Sequence, residues 1–253
     1  MGELRIDHPA EHVCRLTIEN PDKRNALDHA ILDAIAAEVP RIEARCLLIT
    51  AAGPVFSAGY DIGNLEQAEE IVAHPFQAAI EALDAFPFPA VAALNGHAIG
   101  GGLELALACD LRLASAGAEL GMPPARLGLI YSHTGLRRFI DAIGVARTSE
   151  LFHTARTVSA ERAESWGLVN QVLPAEELPA FAVEYAAGIA ANAPLSLAGN
   201  KRVIRELLAA EGGVPPDVER ELVALRDACF RSADFAEGVR AFAEKRAPRW
   251  QGR

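Results

Sequence analysis

Basic residues are in deficit in this 253-residue chain: 24 lysines and arginines stand against 34 aspartates and glutamates, a formal net charge of −10. A protein that lives on DNA, RNA or anionic lipid carries a basic footprint, so neither nucleic acid nor a membrane surface is an expected partner. Cysteine is scarce too. Cys14, Cys46, Cys109 and Cys229 are scattered, with no C-x-x-C pair. That argues against a disulfide framework or thiolate metal site, and for small buried hydrophobes in a reducing cytoplasm. His8 and His12 are four apart, but Pro9 interrupts them and no third ligand is near; no metal is expected. The N-terminal stretch has no apolar signal core, and Ile6 breaks the myristoylation pattern. No export is expected, and the expected location is cytoplasmic. Neither G-x-x-x-x-G-K-[ST] nor a G-x-G-x-x-G in a βαβ setting occurs, which removes two common nucleotide cradles.

What is present is ordinary globular material, 51% apolar and 23% charged, enough for one large domain or one domain plus an appendage. Ala85 to Leu103 carries no charge and is long enough to span a bilayer. It also holds Pro87, Pro89, Asn95, Gly96, His97 and Gly100 to Gly102. A buried strand, a glycine turn and a helix start fit it better, and a soluble protein is expected.

Along the chain, two short strands are expected in the first twenty residues, the second near Val13 to Ile18, followed by a turn at Asn20-Pro21-Asp22. Leu27, Ile31, Ile35 and Val39 recur every four residues, which predicts a helix from about Asp28 to Pro40. Cys46 to Ile49 reads as a strand, Ala51 to Pro54 as a loop, and a helix is expected from about Asp61 and another around Phe76 to Leu83. Ala90 to Leu94 is a second buried strand, Asn95 to Gly102 a turn, Leu103 to Ala108 a helix and Leu111 to Ala114 a strand. Repeated buried strand, turn and helix imply a parallel sheet with crossover connections. From Leu136 the chain reads as mostly helical, with one strand at Leu168 to Leu173. Residues 194–253 read as three helices broken near Gly212 to Pro216 and at Ser232. They are expected to pack on the 1–193 core or on another subunit.

Two turns carry the chemistry: Phe56-Ser57-Ala58-Gly59-Tyr60-Asp61 and Asn95-Gly96-His97-Ala98-Ile99-Gly100-Gly101-Gly102-Leu103-Glu104. Each follows a buried strand and opens a helix with an acid in its first turn. N–H groups at a helix start lack internal partners, and the helix dipole favours negative charge there. Two such starts side by side make an oxyanion hole. Each turn alone is more readily read as structural, with Asp61 and Glu104 complementing helix dipoles.

Together they resemble the crotonase family, also called the enoyl-CoA hydratase/isomerase superfamily, over nearly the full length. The resemblance runs from Asn20-Pro21-Asp22-Lys23-Arg24-Asn25-Ala26-Leu27 through both turns, Leu127-Gly128-Leu129 and Trp166-Gly167-Leu168-Val169 to Phe242-Ala243-Glu244-Lys245-Arg246. It implies an α/β fold, a ββα spiral core with a C-terminal α-helical trimerisation region, and a homotrimer or a dimer of trimers. It also implies an acyl-CoA substrate and no cofactor beyond that CoA moiety. The thioester oxygen would be held by the N–H groups of Tyr60 and Gly101. CoA would be bound around Ala58, Tyr60 and Asp61 with Lys23 or Arg24 as the cation, and Phe242 and Lys245 from a neighbouring subunit would close the nucleotide end. The loop from about Gly63 to Pro75 is expected to line the acyl pocket.

Hydratases of the family pair two glutamates as acid and base. The first matches Glu104; the second falls on Pro124, which has no proton to exchange. Glu119 is five residues away and does not replace it. The nearest resemblance is to the family's methylmalonyl-CoA decarboxylases, which lack the second glutamate and carry a tyrosine matched by Tyr131. Those proteins have histidine where this chain has Tyr60. His133 is read as a surface helix start, with compensation for that histidine as the alternative. Decarboxylation is therefore the expected reaction. Hydration by Glu104 alone and a non-catalytic acyl-CoA-binding role stand as alternatives.

Overall fold

The computed structural model describes residues 1–61, 75–210, 216–246, 248 and 249. The helix expected from Asp61 and most of the loop expected after Gly63 lie outside them, as does the Cys229 side chain. The chain opens with β1 (Glu3–Ala10), β2 (Val13–Glu19) and α1 (His29–Glu38). Three strand pairs follow. They are β3 (Cys46–Ala51) with β4 (Val55–Ser57) before α2 (Pro75–Ala85), and β5 (Ala90–Leu94) with β6 (His97–Ile99) before α3 (Gly101–Ala108). The third is β7 (Leu111–Ser115) with β8 (Glu119–Gly121) before the single turn α4 (Pro124–Leu127). Then come α5 (His133–Thr154), β9 (Thr157–Ser159), α6 (Ala160–Trp166), β10 (Gln171–Leu173) and α7 (Leu178–Ala190). Last are α8 (Pro194–Ala210), α9 (Pro216–Phe230) and α10 (Ala233–Ala243).

In each pair the first strand joins a six-stranded sheet, ordered β1-β2-β3-β5-β7-β10, and the second joins a four-stranded sheet, ordered β4-β6-β8-β9. The two sheets therefore advance together, one step per ββα turn. The steps from β2 to β3, β5 and β7 are parallel, as are those from β4 to β6 and β8. Parallel strands are covered on both faces, which explains their unbroken apolar runs. In β5, Ala92 and Leu94 enter the main core with α1 and α3, while Val91 and Ala93 enter a second core under α7. Asp28 starts α1 by accepting the Ile31 N–H at 3.1 Å, and Ile31, Leu32 and Ile35 are buried. The helix yields to a 3-10 turn over Val39–Arg41 at Pro40.

The sequence reading needs two corrections. Asn95 to Gly102 is not all turn, since His97–Ile99 is a strand. The late strand covers only Gln171–Leu173; Leu168 and Val169 are buried without pairing, and the Leu168 carbonyl accepts from Arg112 Nε at 2.7 Å. The long helix does start at His133, as read, capped by Ser132, whose Oγ accepts from Gly135 N–H at 3.1 Å. β4, β6, β8 and β9 are each three residues long, too short to show a period of two.

No helix among the described residues is long and apolar enough to cross a membrane. The uncharged run divides into β5, β6 and the start of α3. Cys14, Cys46 and Cys109 are buried, and burial pushes their thiols up to about 11, 12 and 12, so they stay protonated and inert. The terminal helices pack on the core. Lys201 of α8, 7% exposed, donates to Phe88 O at 2.7 Å and pairs with Asp110 at 2.8 Å; burial lowers its pKa, and Asp110 opposes the fall. Phe230 and Phe235 meet edge to face, and Leu129 and Val239 pack against the pair.

Candidate active site

The turn between β2 and α1 builds one wall. Arg24 and Asn25 both adopt left-handed backbone, with φ of 52° and 54°. Asn25 is buried, donates from Nδ2 to Ala52 O at 2.7 Å and Val55 O at 2.6 Å, and accepts from Asn20 N–H at 2.8 Å. Its own carbonyl accepts from Ser57 Oγ at 2.7 Å, and Ser57 Oγ accepts from Gly59 N–H at 3.1 Å. Ala58 N–H donates to Arg24 O at 3.0 Å, and Lys23 Nζ pairs with Asp61 at 2.6 Å. Residues 55–61 are thus pinned at several points by residues 20–27. The sequence reading quoted Asn25 without giving it a role; only the fold brings it against β4.

Leu27 completes the clip. Its N–H donates to Gly59 O at 2.8 Å and its carbonyl accepts from Asp61 N–H at 3.3 Å. The Gly59 carbonyl and the Tyr60 N–H belong to one trans peptide and point in opposite directions, so with Gly59 O on Leu27 the Tyr60 N–H is turned to the other side. Gly101 lies there. A Cβ built on Gly101 would be 3.5 Å from Tyr60 N, and one on Gly59 3.3 Å from Gly101 N. Gly101 is the first residue of α3, so its N–H has no acceptor inside the helix. The two N–H groups expected to form the hole are side by side, and both residues line one cavity.

That cavity is about 1330 Å³ in volume. α3 is buried all round, and Glu104, 4% exposed, is its one charged residue and also lines the cavity. Tyr131 donates its hydroxyl hydrogen to Glu104 Oε2. Its ring is held edge to face by Phe152 at 5.4 Å, and Phe152 in turn by Phe139 at 5.1 Å. Gly135 makes room for the pair: a Cβ there would come within 2.6 Å of Tyr131 Cε1 and 2.8 Å of Glu104 Oε1. Pro124 lines the cavity as the first residue of α4. Glu119 lies outside it, with its N–H donating to His97 Nδ1 at 3.0 Å. His133 does line the cavity, next to Ser132 and Thr134. Tyr60 also lines it, and its hydroxyl lies 2.8 Å from His29 Nε2, a partner the sequence reading missed. Phe76, Met122, Leu129, Ile130, Phe235 and Val239 supply apolar wall.

Lys23, Arg24, Arg126 and Arg246 line the same space against Asp22, Asp61 and Glu104. Charge at this opening is thus close to balanced in a chain that is acidic as a whole, with Lys23 paired to Asp61 and Arg246 to Glu237. Phe242, 59% exposed, borders the cavity of its own chain, where α10 packs on α4 and, through Phe235 and Val239, on Leu129 just beyond it. Lys245 is exposed and outside that lining, while Arg246 is part of it. Among the described residues no cluster of histidine, cysteine and carboxylate side chains could hold a metal ion.

Glu237 holds α10 to the tail that follows it. Its carboxylate, 8% exposed, pairs with Arg246 at 2.6 Å, accepts from Arg249 N–H at 2.8 Å and faces Arg240 at 3.3 Å. The Arg246 hydrogen bonds, then the Arg249 N–H, hold its pKa at about 2 against an ordinary 4.5. A depressed carboxylate stabilises above its unfolded pKa and loses that contribution as pH falls through its folded pKa. Hydrogen exchange over 233–243 should therefore show protection that is full above about pH 4.5 and declines toward pH 2. Glu237→Gln should lower protection at neutral pH and remove most of that acid dependence; an unchanged acid profile would rule Glu237 out as its source.

The enoyl-CoA hydratase/isomerase family model matches residues 9–253. The chain is 32% identical to the 2,3-dehydroadipyl-CoA hydratase of Escherichia coli strain K12, over 100% of both chains. It superimposes on methylmalonyl-CoA decarboxylase, solved in complex with 2-nitronate-propionyl-CoA, with a TM-score of 0.91 and 29% identity, covering 99% of this chain and 98% of that one. For an enoyl-CoA hydratase from Bacillus anthracis the TM-score is 0.78 at 32% identity, covering 99% of each.

Proposed function

The chain belongs to the enoyl-CoA hydratase/isomerase family, and we propose that within it the protein decarboxylates a methylmalonyl-CoA-type thioester. The observation that carries this reading is the Tyr131–Glu104 hydrogen bond at a cavity where Pro124 stands in place of a second carboxylate. Hydration requires a base to activate water and an acid to protonate carbon. Decarboxylation starts without a base. The bond from C2 to the carboxylate breaks, and its electron pair moves through C2 to the thioester oxygen. CO₂ leaves, and C2 then takes up one proton. Negative charge moves from a carboxylate among apolar walls, where it is poorly solvated, to an oxygen facing the Tyr60 and Gly101 N–H groups. Glu104 holds Tyr131 beside the departing carboxylate. Once CO₂ has left, the Tyr131 hydroxyl turns its hydrogen from Glu104 to C2, the O–H bond breaks as the C–H bond forms, and the phenolate regains a proton from water. The products are propionyl-CoA and CO₂.

Arg24, with Ala58, Tyr60 and Asp61 beside it, and Arg246 would receive the CoA moiety, and the reaction needs no other cofactor. The proposed assembly is a homotrimer or a dimer of trimers, to which the exposed Leu195, Val203, Ile204 and Leu208 of α8 offer an apolar surface. The superposition on methylmalonyl-CoA decarboxylase supports the reading. The hydratase relative favours a second one, enoyl-CoA hydration by Glu104 alone. Incubation with methylmalonyl-CoA in D₂O tests the first: propionyl-CoA bearing deuterium at C2 is expected. Methylmalonyl-CoA recovered intact over many turnover times would refute it.

A further inference from the structure

Helix α3 turns Gly101 and Glu104 to the cavity, and residues at that spacing are neighbours on one helix face. An aromatic ring stands over each. Tyr131 meets Glu104 through its hydroxyl. Phe76 meets Gly101: its Cε2 and Cζ lie 3.4 and 3.7 Å from a Cβ built there. Phe76 is the second residue of α2 and opens that helix's inward stripe, being followed at helical spacing by Ala79, Ile80 and Leu83, all buried. Its ring is half-buried and packs on the main core, and α2 itself packs on α3. The ring edge is therefore held against the first turn of α3, on the face that carries Glu104.

That placement decides what an acyl group meets once its thioester oxygen lies between the Tyr60 and Gly101 N–H groups. C2 is bonded to the carbonyl carbon, so it lies over the Gly101–Glu104 face. The C2 substituent beside Tyr131 is the carboxylate, and the remaining one turns back toward Phe76. We propose that Phe76 is a specificity-determining residue: its ring bounds the acyl pocket and restricts that second C2 substituent to about the size of a methyl group. A longer chain would have to displace a ring backed by α2 and the buried residues beneath it, and packed interiors yield little to added methylenes. The inference deepens the proposed function and rests on its placement of the thioester oxygen at the hole. It does not depend on which bond then breaks.

The test uses propionyl-CoA and hexanoyl-CoA, saturated thioesters with neither a carboxylate to lose nor a double bond to hydrate, so binding is read apart from reaction. Hexanoyl-CoA extends the methyl group by three methylenes. Titration calorimetry on the full chain should show the parent binding hexanoyl-CoA about 10-fold more weakly than propionyl-CoA, the reverse of the gain that added apolar carbon brings in an open pocket. Phe76→Ala should raise the hexanoyl-CoA affinity about 10-fold or more and change that for propionyl-CoA less than about 3-fold. Phe76→Leu keeps an apolar contact with the core, should melt near the parent, and should give a smaller gain in the same direction. A parent that binds both thioesters equally, or variants that keep the parental ratio, would overturn the role of Phe76. Failure of the decarboxylation reading shows differently: methylmalonyl-CoA stays intact while the Phe76 variants still widen the range of acyl groups bound.

Discussion

Tyr131→Phe is expected to lower kcat for methylmalonyl-CoA about 100-fold or more, the range for loss of a proton-relaying side chain, with KM nearly unchanged. The ring packs edge to face on Phe152 and its hydroxyl donates to Glu104. Phenylalanine keeps the packing and removes only the hydroxyl, so the melting temperature should move little. Glu104→Gln leaves an amide oxygen that still accepts from Tyr131, and its loss should be smaller, about 10-fold. Hydration reverses the ranking. If Glu104 alone moved protons to and from an enoyl substrate, Glu104→Gln would abolish turnover and Tyr131→Phe would barely matter. Steady-state kinetics of the two variants therefore separates the reactions.

Gly59→Ala is expected to cost about 100- to 1000-fold in kcat, as when one oxyanion-hole donor is removed. Gly59 has φ of +94°, and a Cβ there would come within 2.7 Å of Ile99 O. Relief requires Gly59 to move relative to β6, carrying the Tyr60 N–H with it. Strain of about 1–3 kcal/mol should also appear in stability. Gly101→Ala is the companion variant. Its Cβ would meet Phe76 Cε2 at 3.4 Å and Tyr60 N at 3.5 Å, ordinary contacts at the hole itself. It should fold like the parent yet lose rate. A well-folded Gly101→Ala variant with parental kcat would remove the hole from the mechanism.

Much of this was legible in the sequence. The buried runs at 46–49 and 90–94 carried the parallel sheet, because strands covered on both faces need no alternation. The glycine turns at 59 and 100–102 suggested paired N–H donors only when taken together, and the assignment to Tyr60 and Gly101 came from the family resemblance. The three terminal helices were legible from their breaks. The four three-residue strands were not, since pairing alone defines them. Tyr131 and Glu104 lie 27 residues apart, and only the family resemblance connected them. His29 and Tyr60, like Asn25 and β4, meet through contacts that no local pattern encodes. The placement of α10 over its own chain's cavity depends on Phe235 and Val239 finding Leu129, and apolar spacing cannot say which subunit supplies that partner.

The central claim is that the Tyr131–Glu104 pair and the Tyr60–Gly101 hole serve loss of CO₂ rather than addition of water. It is tested most directly by incubating the protein with equimolar methylmalonyl-CoA and crotonyl-CoA in one vessel and following both by mass spectrometry. The account predicts propionyl-CoA accumulating while crotonyl-CoA persists. Conversion of crotonyl-CoA to 3-hydroxybutyryl-CoA with methylmalonyl-CoA untouched would contradict it, and would mean that Glu104 manages both proton transfers with proline at position 124.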